Sequence, residues 1–430
     1  MFKSKKTYLI PIISFALVML IGALLLYMPI FNNIGISFAD ALYTSVSGVT
    51  TTGLLKESMI SQFNFGGQLV FAILMEIGAL GFVIFVSYFW SIRNKRILMS
   101  DAMVINDSIS GDNTGSIKEH SIFIGKLVFG VQLIGALLLA IRFIPLLGFL
   151  KGIWYGIFHS ISAFSNTGVD LFGANGIRVF VNDFYVQTVL IFLMIVGSFG
   201  VFAIEDIKNA KRFSKFKLQT KIIIVGTIVM LIVPTILFKL LEPDLSIING
   251  LFITSARSTG FGLVDVSSFS SASQVLLMII MFIGCSPAST GGGVKLISIA
   301  VIVATIISTL KGKEETIIFW RKISNFTVRM AFTIFTLFDV ILFIAFILFM
   351  NFNNVPVVRL GIVAVSRDCF PDELSERRRG EVVVACKNKG ISLYECQTIV
   401  ETERQAAEAI AHLHAEGCNA LVIYLGNFGP

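Results

Sequence analysis

Three stretches of the chain, SVSGVTTTG (45–53), SISAFSNTG (160–168) and SARSTG (255–260), end on a Thr-Gly pair preceded mostly by small or hydroxylated residues. The chemistry they offer is that of oxygen: backbone carbonyls and side-chain hydroxyls. Small residues let neighbouring backbones approach, and Gly53, Gly168 and Gly260 permit the φ/ψ that turn carbonyls toward a common axis. A ring of such oxygens can replace the water shell of a dehydrated cation. A lone Thr-Gly is an ordinary turn. The signal lies in its threefold recurrence, each time after a short amphipathic stretch. The first two loops match in length, whereas the third is one residue shorter between helix and glycine.

Such loops need elements that hold them. Of the 430 residues 55% are hydrophobic and 14% charged, and the mean hydropathy is +0.84. Apolar runs of bilayer-spanning length recur, which places the chain among α-helical polytopic membrane proteins. The net charge of +7 sits largely in loops beside these runs, and no basic patch with interleaved aromatics appears, so nucleic acid is excluded as a partner. The apolar run 8–31 after MFKSKK is too long for a signal peptide and reads as an uncleaved first span with a cytoplasmic N-terminus.

The order span, short amphipathic stretch, Thr-Gly loop, span repeats three times. The spans read as 8–31 and 67–91, 121–144 and 183–204, then 221–241 and the apolar segment 274–310. Lys and Arg flank each repeat, among them Arg93, Lys95 and Arg96 after the first and Lys208, Lys211, Arg212, Lys215 and Lys217 after the second. By the positive-inside rule each repeat starts and finishes in the cytoplasm. The polar middles are then re-entrant, and non-helical backbone at that depth must be buried in protein or line a watery path. Three of them in matching positions most economically line one path.

The third closing segment differs. MIIMFIGCSPASTGGGVKLISIA (278–300) sets Pro287 and Gly291, Gly292 and Gly293 amid apolar residues. Pro removes a donor and each Gly costs about 1 kcal/mol in a helix interior, so this stretch is expected to be unwound. Among isolated polar residues, Glu76 is expected to make a hydrogen bond between helices rather than a cation site. Arg257 is expected to pair with Asp265 or to brace a loop, and His120 and His159 to be interfacial and structural.

The motifs GISFADALYTSVSGVTTTGL, SISAFSNTGVDLFG, SARSTGFGLVDVS and GCSPASTGGGVKL, in this order over residues 1 to about 350, resemble the potassium-translocating membrane subunit of the Ktr system in the Trk/Ktr/HKT superfamily. The resemblance implies four units around a pseudo-fourfold pore, a homodimer in the plasma membrane, and a cytoplasmic nucleotide-binding regulatory ring of the RCK type as partner. It implies potassium as substrate, sodium as a candidate coupling ion, and no bound organic cofactor. It assigns the filter to the carbonyls of Thr51, Thr52 and Gly53, of Asn166, Thr167 and Gly168, and of Ser258, Thr259 and Gly260. It makes 284–296 an intramembrane gating loop containing Pro287, Gly291, Gly292 and Gly293, with Lys295 near its cytoplasmic end.

The domain organisation expected is 1–100, 101–217 and 218–313 for the three units and 314–350 for the first span of an incomplete fourth. Residues 351–430 read as an unrelated α/β fragment. From Val355 on, 18 of 76 residues are charged and only two are Phe, out of 40 in the chain. The runs 357–366, 391–400 and 419–426 read as strands and 373–389 and 402–417 as helices, a βαβαβ order that implies a parallel sheet. GIVAVSRDCFP and NALVIYLGNFG resemble the opening of the N-terminal domain of L-fucose and L-arabinose isomerases, whose metal-binding residues come later, so none is carried over. A fourth Thr-Gly loop is expected near 350–375 and this tail stands there instead, which suggests a junction near 351–354. The expected function is potassium transport by a pore subunit that is inactive in this truncated or chimeric form. The alternatives are a membrane-tethered isomerase fragment and a non-conducting scaffold for the regulatory ring.

Overall fold

The computed structural model describes residues 6–81, 117–351, 359–366, 372–388 and 393–425. They divide into two compact units, Met1–Phe338 and Asp339–Pro430. The basic group Arg93, Lys95 and Arg96 and most of the junction at 351–354 lie outside the described residues.

The first unit opens with α1 (Lys6–Tyr27), the short helix α2 (Phe38–Val49), the single turn α3 (Met59–Gln62) and α4 (Phe65–Leu80). A second set follows: α5 (Ile117–Leu147), short α6 (Phe149–Phe164), α7 (Phe184–Phe199) and α8 (Val201–Ala210). The third set is α9 (Leu218–Leu241), short α10 (Ile247–Ser255), α11 (Ser271–Phe282) and α12 (Leu296–Leu310), and α13 (Asn325–Asn351) comes next. Among the described residues, Ile122–Leu147, Leu218–Leu241 and Asn325–Leu348 are single helices long and apolar enough to cross a membrane.

The second closing run was expected to be continuous over 183–204 and is not. It stops at Phe199 and restarts at Val201, because Gly200 takes φ 85° and ψ 132°. Gly81 ends α4 with nearly the same angles, φ 73° and ψ 135°. In the third set the expected interruption is present between Phe282 and Leu296. The sequence reading did not foresee the antiparallel pair β1 (Ile317–Ile318) and β2 (Arg321–Lys322), turned by Phe319 and Trp320 at φ 47° and 64°.

The core gathers where the short helices pack on the long ones. Phe71, Phe143, Phe158 and Phe252 are fully buried there. Ser37 caps α2 by accepting from Asp40 N–H at 3.1 Å, and Ser246 caps α10 by accepting from Asn249 N–H at 3.2 Å.

In the second unit β3 (Leu360–Val365), α14 (Asp372–Asn388), β4 (Leu393–Val400), α15 (Glu403–Ala415) and β5 (Ala420–Leu425) follow in βαβαβ order. The three strands are parallel in the order β4-β3-β5, as the alternation of strands and helices predicts. Ile362 and Ala364 are wholly buried in the central strand.

Candidate functional site

The first two Thr-Gly loops are copies of each other at the level of single hydrogen bonds. Thr52 N–H donates to Ser47 O at 2.9 Å and Thr167 N–H to Ser162 O at 3.1 Å; Thr51 N–H donates to Gly48 O and Asn166 N–H to Ala163 O, both at 3.2 Å. Hydroxyls pair the same way, Thr50 with Thr52 at 2.7 Å and Ser165 with Thr167 at 2.8 Å. Thr51 and Asn166 occupy the left-handed region at φ 52° and 56°, and Gly53 and Gly168 follow at 78° and 76°. Asn tolerates that region well, whereas a β-branched Thr is strained there. The loop amides are therefore tied to the ends of α2 and α6, and the partial negative charge of those helix C-termini faces the loops, a field that favours a cation.

The loops are backed from outside by glycine. A Cβ on Gly78 would collide with Val49 O, and one on Gly197 with Phe164 O, each at the end of a short helix. Ser45 and Ser160 donate to carbonyls of the preceding long helices, Met19 O and Gln132 O, at 2.7 Å. The sequence reading missed Gly78 and Gly81, and Gly197 and Gly200. Their signal was a Gly-x-x-Gly spacing repeated in the two closing runs.

The third loop is built differently. Ala256–Ser258 form a 3-10 turn and Thr259 N–H donates to Ala256 O at 2.8 Å. Gly260 was expected to adopt the same special backbone as Gly53 and Gly168, but it is not left-handed. The missing residue between helix and glycine leaves no room for the left-handed step. Gly260 is needed for closeness instead: a Cβ there would lie 2.8 Å from Thr167 O, 3.1 Å from Gly53 O and 3.3 Å from Gly168 O. Gly260 N–H donates to Thr167 O at 3.0 Å, so the three loops meet. Ser258 reaches away from this point to Cys285 Sγ at 3.3 Å.

Arg257 braces rather than pairs. It is buried, and donates to Thr254 O at 3.1 Å and Ile283 O at 3.4 Å, with Cys285 Sγ at 3.7 Å. Two helix C-terminal carbonyls thus surround the guanidinium, which accounts for a cation in this place. Asp265 receives Ser267 N–H at 3.1 Å instead. Glu76 makes the expected bond between helices, accepting from Gln132 Nε2 at 2.8 Å. His159 is not interfacial but fully buried behind the second loop, bonded to Tyr155 O at 2.7 Å and accepting from Leu171 N–H at 3.3 Å.

Residues 284–296 lie against the break between α7 and α8. Thr290 N–H donates to Gly197 O at 3.2 Å, Ser286 N–H to Ser198 O at 3.2 Å and Val201 N–H to Ala288 O at 3.3 Å. Lys295 Nζ donates back to Gly291 O at 2.7 Å, closing the glycine stretch on itself. Pro287 and Gly200 are close enough that a Cβ on Gly200 would sit 2.7 Å from Pro287 O. Among the described residues no group of three or more His, Cys, Asp or Glu could hold a metal ion.

Long apolar helices with three oxygen-rich loops meeting between them define a helical membrane protein. The model of the TrkH family, cation transport protein, matches residues 1–220 and 220–357, and the chain belongs to this family. It is 34% identical over 327 residues to the Ktr system potassium uptake protein B of Bacillus subtilis, covering 72% of each chain. It is 32% identical over 335 residues to the potassium/sodium uptake protein NtpJ of Enterococcus hirae, covering 75% of this chain and 74% of that one. The crystal structure of the potassium transporter TrkH from Vibrio parahaemolyticus superposes with a TM-score of 0.57 at 19% identity, over 72% of this chain. The chain spans 63% of the length of that structure. Residues 361–430 match the N-terminal domain model of fucose/sulfoquinovose isomerase. The protein is thus a membrane protein of a transporter family whose residues 361–430 are similar to an isomerase N-terminal domain.

Proposed function

We propose that residues 1–350 are the pore-forming part of a Ktr-type potassium uptake subunit, with Thr51, Thr52, Gly53, Asn166, Thr167, Gly168, Ser258, Thr259 and Gly260 lining the cation path. The observation that carries this reading is the meeting of three oxygen-rich loops at Gly260, two of them with matching backbone and hydrogen bonds. Four such walls would complete a pseudo-fourfold pore, in a plasma-membrane homodimer with its N-terminus in the cytoplasm. The domain boundaries follow the repeats: 1–100, 101–217, 218–313, 314–350 and 351–430. A nucleotide-binding RCK-type ring is the cytoplasmic partner, and sodium the candidate coupling ion, in keeping with the potassium/sodium uptake named for the E. hirae relative.

Residues 284–296 are the gate, because they rest on the loops at the break of the third closing helix. In this reading residues 1–430 alone do not conduct, because they supply three of the four walls that the site needs. The isomerase-type tail has no catalytic role in this reading.

The test is potassium uptake in a transport-deficient cell by a chain in which a fourth span-loop-span unit from a relative follows residue 350. Saturable uptake that favours potassium over sodium is expected. A correctly inserted protein without such uptake contradicts the assignment. In the same chain, shortening 288–293 should raise flux and free it from nucleotide; flux unchanged places the gate elsewhere.

A further inference from the structure

We infer that Thr290 is a positioning residue that ties the gating loop to the second filter loop through the side chain of Asn166, so that the gate cannot move without loosening that wall. The functional meaning rests on the reading of 284–296 as a gate, while the coupling itself is a physical claim about the chain.

Asn166 belongs to the filter by position, yet its side chain leaves the path. Its Nδ2 donates to Thr290 Oγ1 at 2.7 Å and lies 3.4 Å from both Phe164 O and Met194 O, while its Oδ1 accepts from Ser198 Oγ at 3.2 Å. Thr290 completes the knot, donating its own hydroxyl to Phe164 O at 2.9 Å. On the opposite side Thr51 Oγ1 reaches Thr290 O at 3.5 Å, so one gate residue touches both matched loops. Asn166 is wholly buried. Gly197 is part of the arrangement, because a Cβ there would stand 2.9 Å from Thr290 Oγ1 and 3.0 Å from Asn166 Nδ2.

Withdrawing Thr290 would strip Asn166 Nδ2 of its shortest bond in a buried site. An unpaired buried donor is unfavourable, so the left-handed step at Asn166 would lose what holds it. Thr167 and Gly168 come next in the chain and carry two of the proposed filter carbonyls. Space for the movement exists: a cavity of about 220 Å³ adjoins Ala288, Ser289 and Thr290, walled by Gly81, Val128 and Phe202.

Hydrogen exchange of the full chain in lipid nanodiscs tests this without any flux. Thr290→Val keeps the shape and removes the hydroxyl. It should speed exchange about tenfold in both 284–296 and 160–172, and Thr290→Ser should restore both. Faster exchange confined to 284–296 overturns the inference. Should the valine variant not fold, oxidation of Asn166→Cys/Thr290→Cys followed by peptide mass spectrometry decides. A 166–290 disulfide is expected, and two alkylated cysteines without one contradict the contact. If exchange is coupled but shortening 288–293 leaves flux unchanged, the tie stands and the gate reading fails.

Discussion

The first two loops and the third solve one problem in two ways. Loops one and two place two left-handed residues each, Thr51 with Gly53 and Asn166 with Gly168, between a short helix and a closing helix that backs it through a glycine. The third has one residue fewer, no left-handed position, and Arg257 stitching it to the end of α11, where the helix unwinds. Strained backbone persists only where its surroundings over-determine it. The helices α4 and α7 back the first two loops through Gly78 and Gly197, whereas the third loop rests on the interrupted segment and has no left-handed residue. The difference teaches that one loop position can be held by strained backbone under a helix or by a buried arginine beside a broken one.

The largest effects should separate the two kinds of glycine. In a chain completed with a fourth unit, Gly53→Ser and Gly168→Ser meet both a positive φ and a backbone collision. A strain of about 1–3 kcal/mol corresponds to a ten- to hundredfold loss of potassium over sodium discrimination. Gly260→Ser adds bulk without the dihedral penalty and should lose less. Competition uptake of the two ions measures this, and equal losses at all three would erase the distinction.

An intermediate effect is expected at the stitch. Arg257→Gln removes charged hydrogen bonds to Thr254 O and Ile283 O and should lower stability by about 2 kcal/mol, seen as a lower unfolding temperature in detergent. Arg257→Lys should not rescue it, because an ammonium cannot span two carbonyls as a planar fork does. Asp265→Asn should leave the transition in place, since Asp265 serves Ser267.

The smallest effect concerns acid. Glu242 Oε1 accepts from Ser273 Oγ and Ser270 Oγ at 2.7 Å and from Ser270 N–H at 2.9 Å, joining the end of α9 to the start of α11. Hydrogen bonds from Ser273 and then Ser270 hold its carboxyl below the ordinary 4.5. A depressed folded-state value stabilises above the unfolded value and is lost as pH falls through the folded one. The third closing helix should therefore loosen slightly below about pH 4.5. Glu242→Ala should remove that dependence, as read by exchange in 270–282.

Much of this was legible in the sequence. Hydropathy located the long helices, and the recurring Thr-Gly pairs located the loops, because burial in lipid and close backbone packing both constrain residue type. Pro287 and Gly291 to Gly293 announced the interrupted helix. The break at Gly200 escaped, since one glycine in an apolar run is also compatible with a continuous span. Gly260 misled because the sequence shows that a glycine is needed and not whether conformation or closeness needs it. The outward turn of Asn166 escaped for a related reason: its partners are 32 and 124 residues away, and only the fold brings them together.

The most direct measurement is potassium uptake by a transport-deficient cell expressing residues 1–430 unchanged, beside the chain completed after residue 350. Both should reach the membrane. The completed chain is expected to support saturable uptake and the unchanged chain none above background, because residues 1–430 carry three of the four walls that the proposed pore needs. Robust, saturable uptake by the unchanged chain would contradict the account, since three walls and the tail would then suffice.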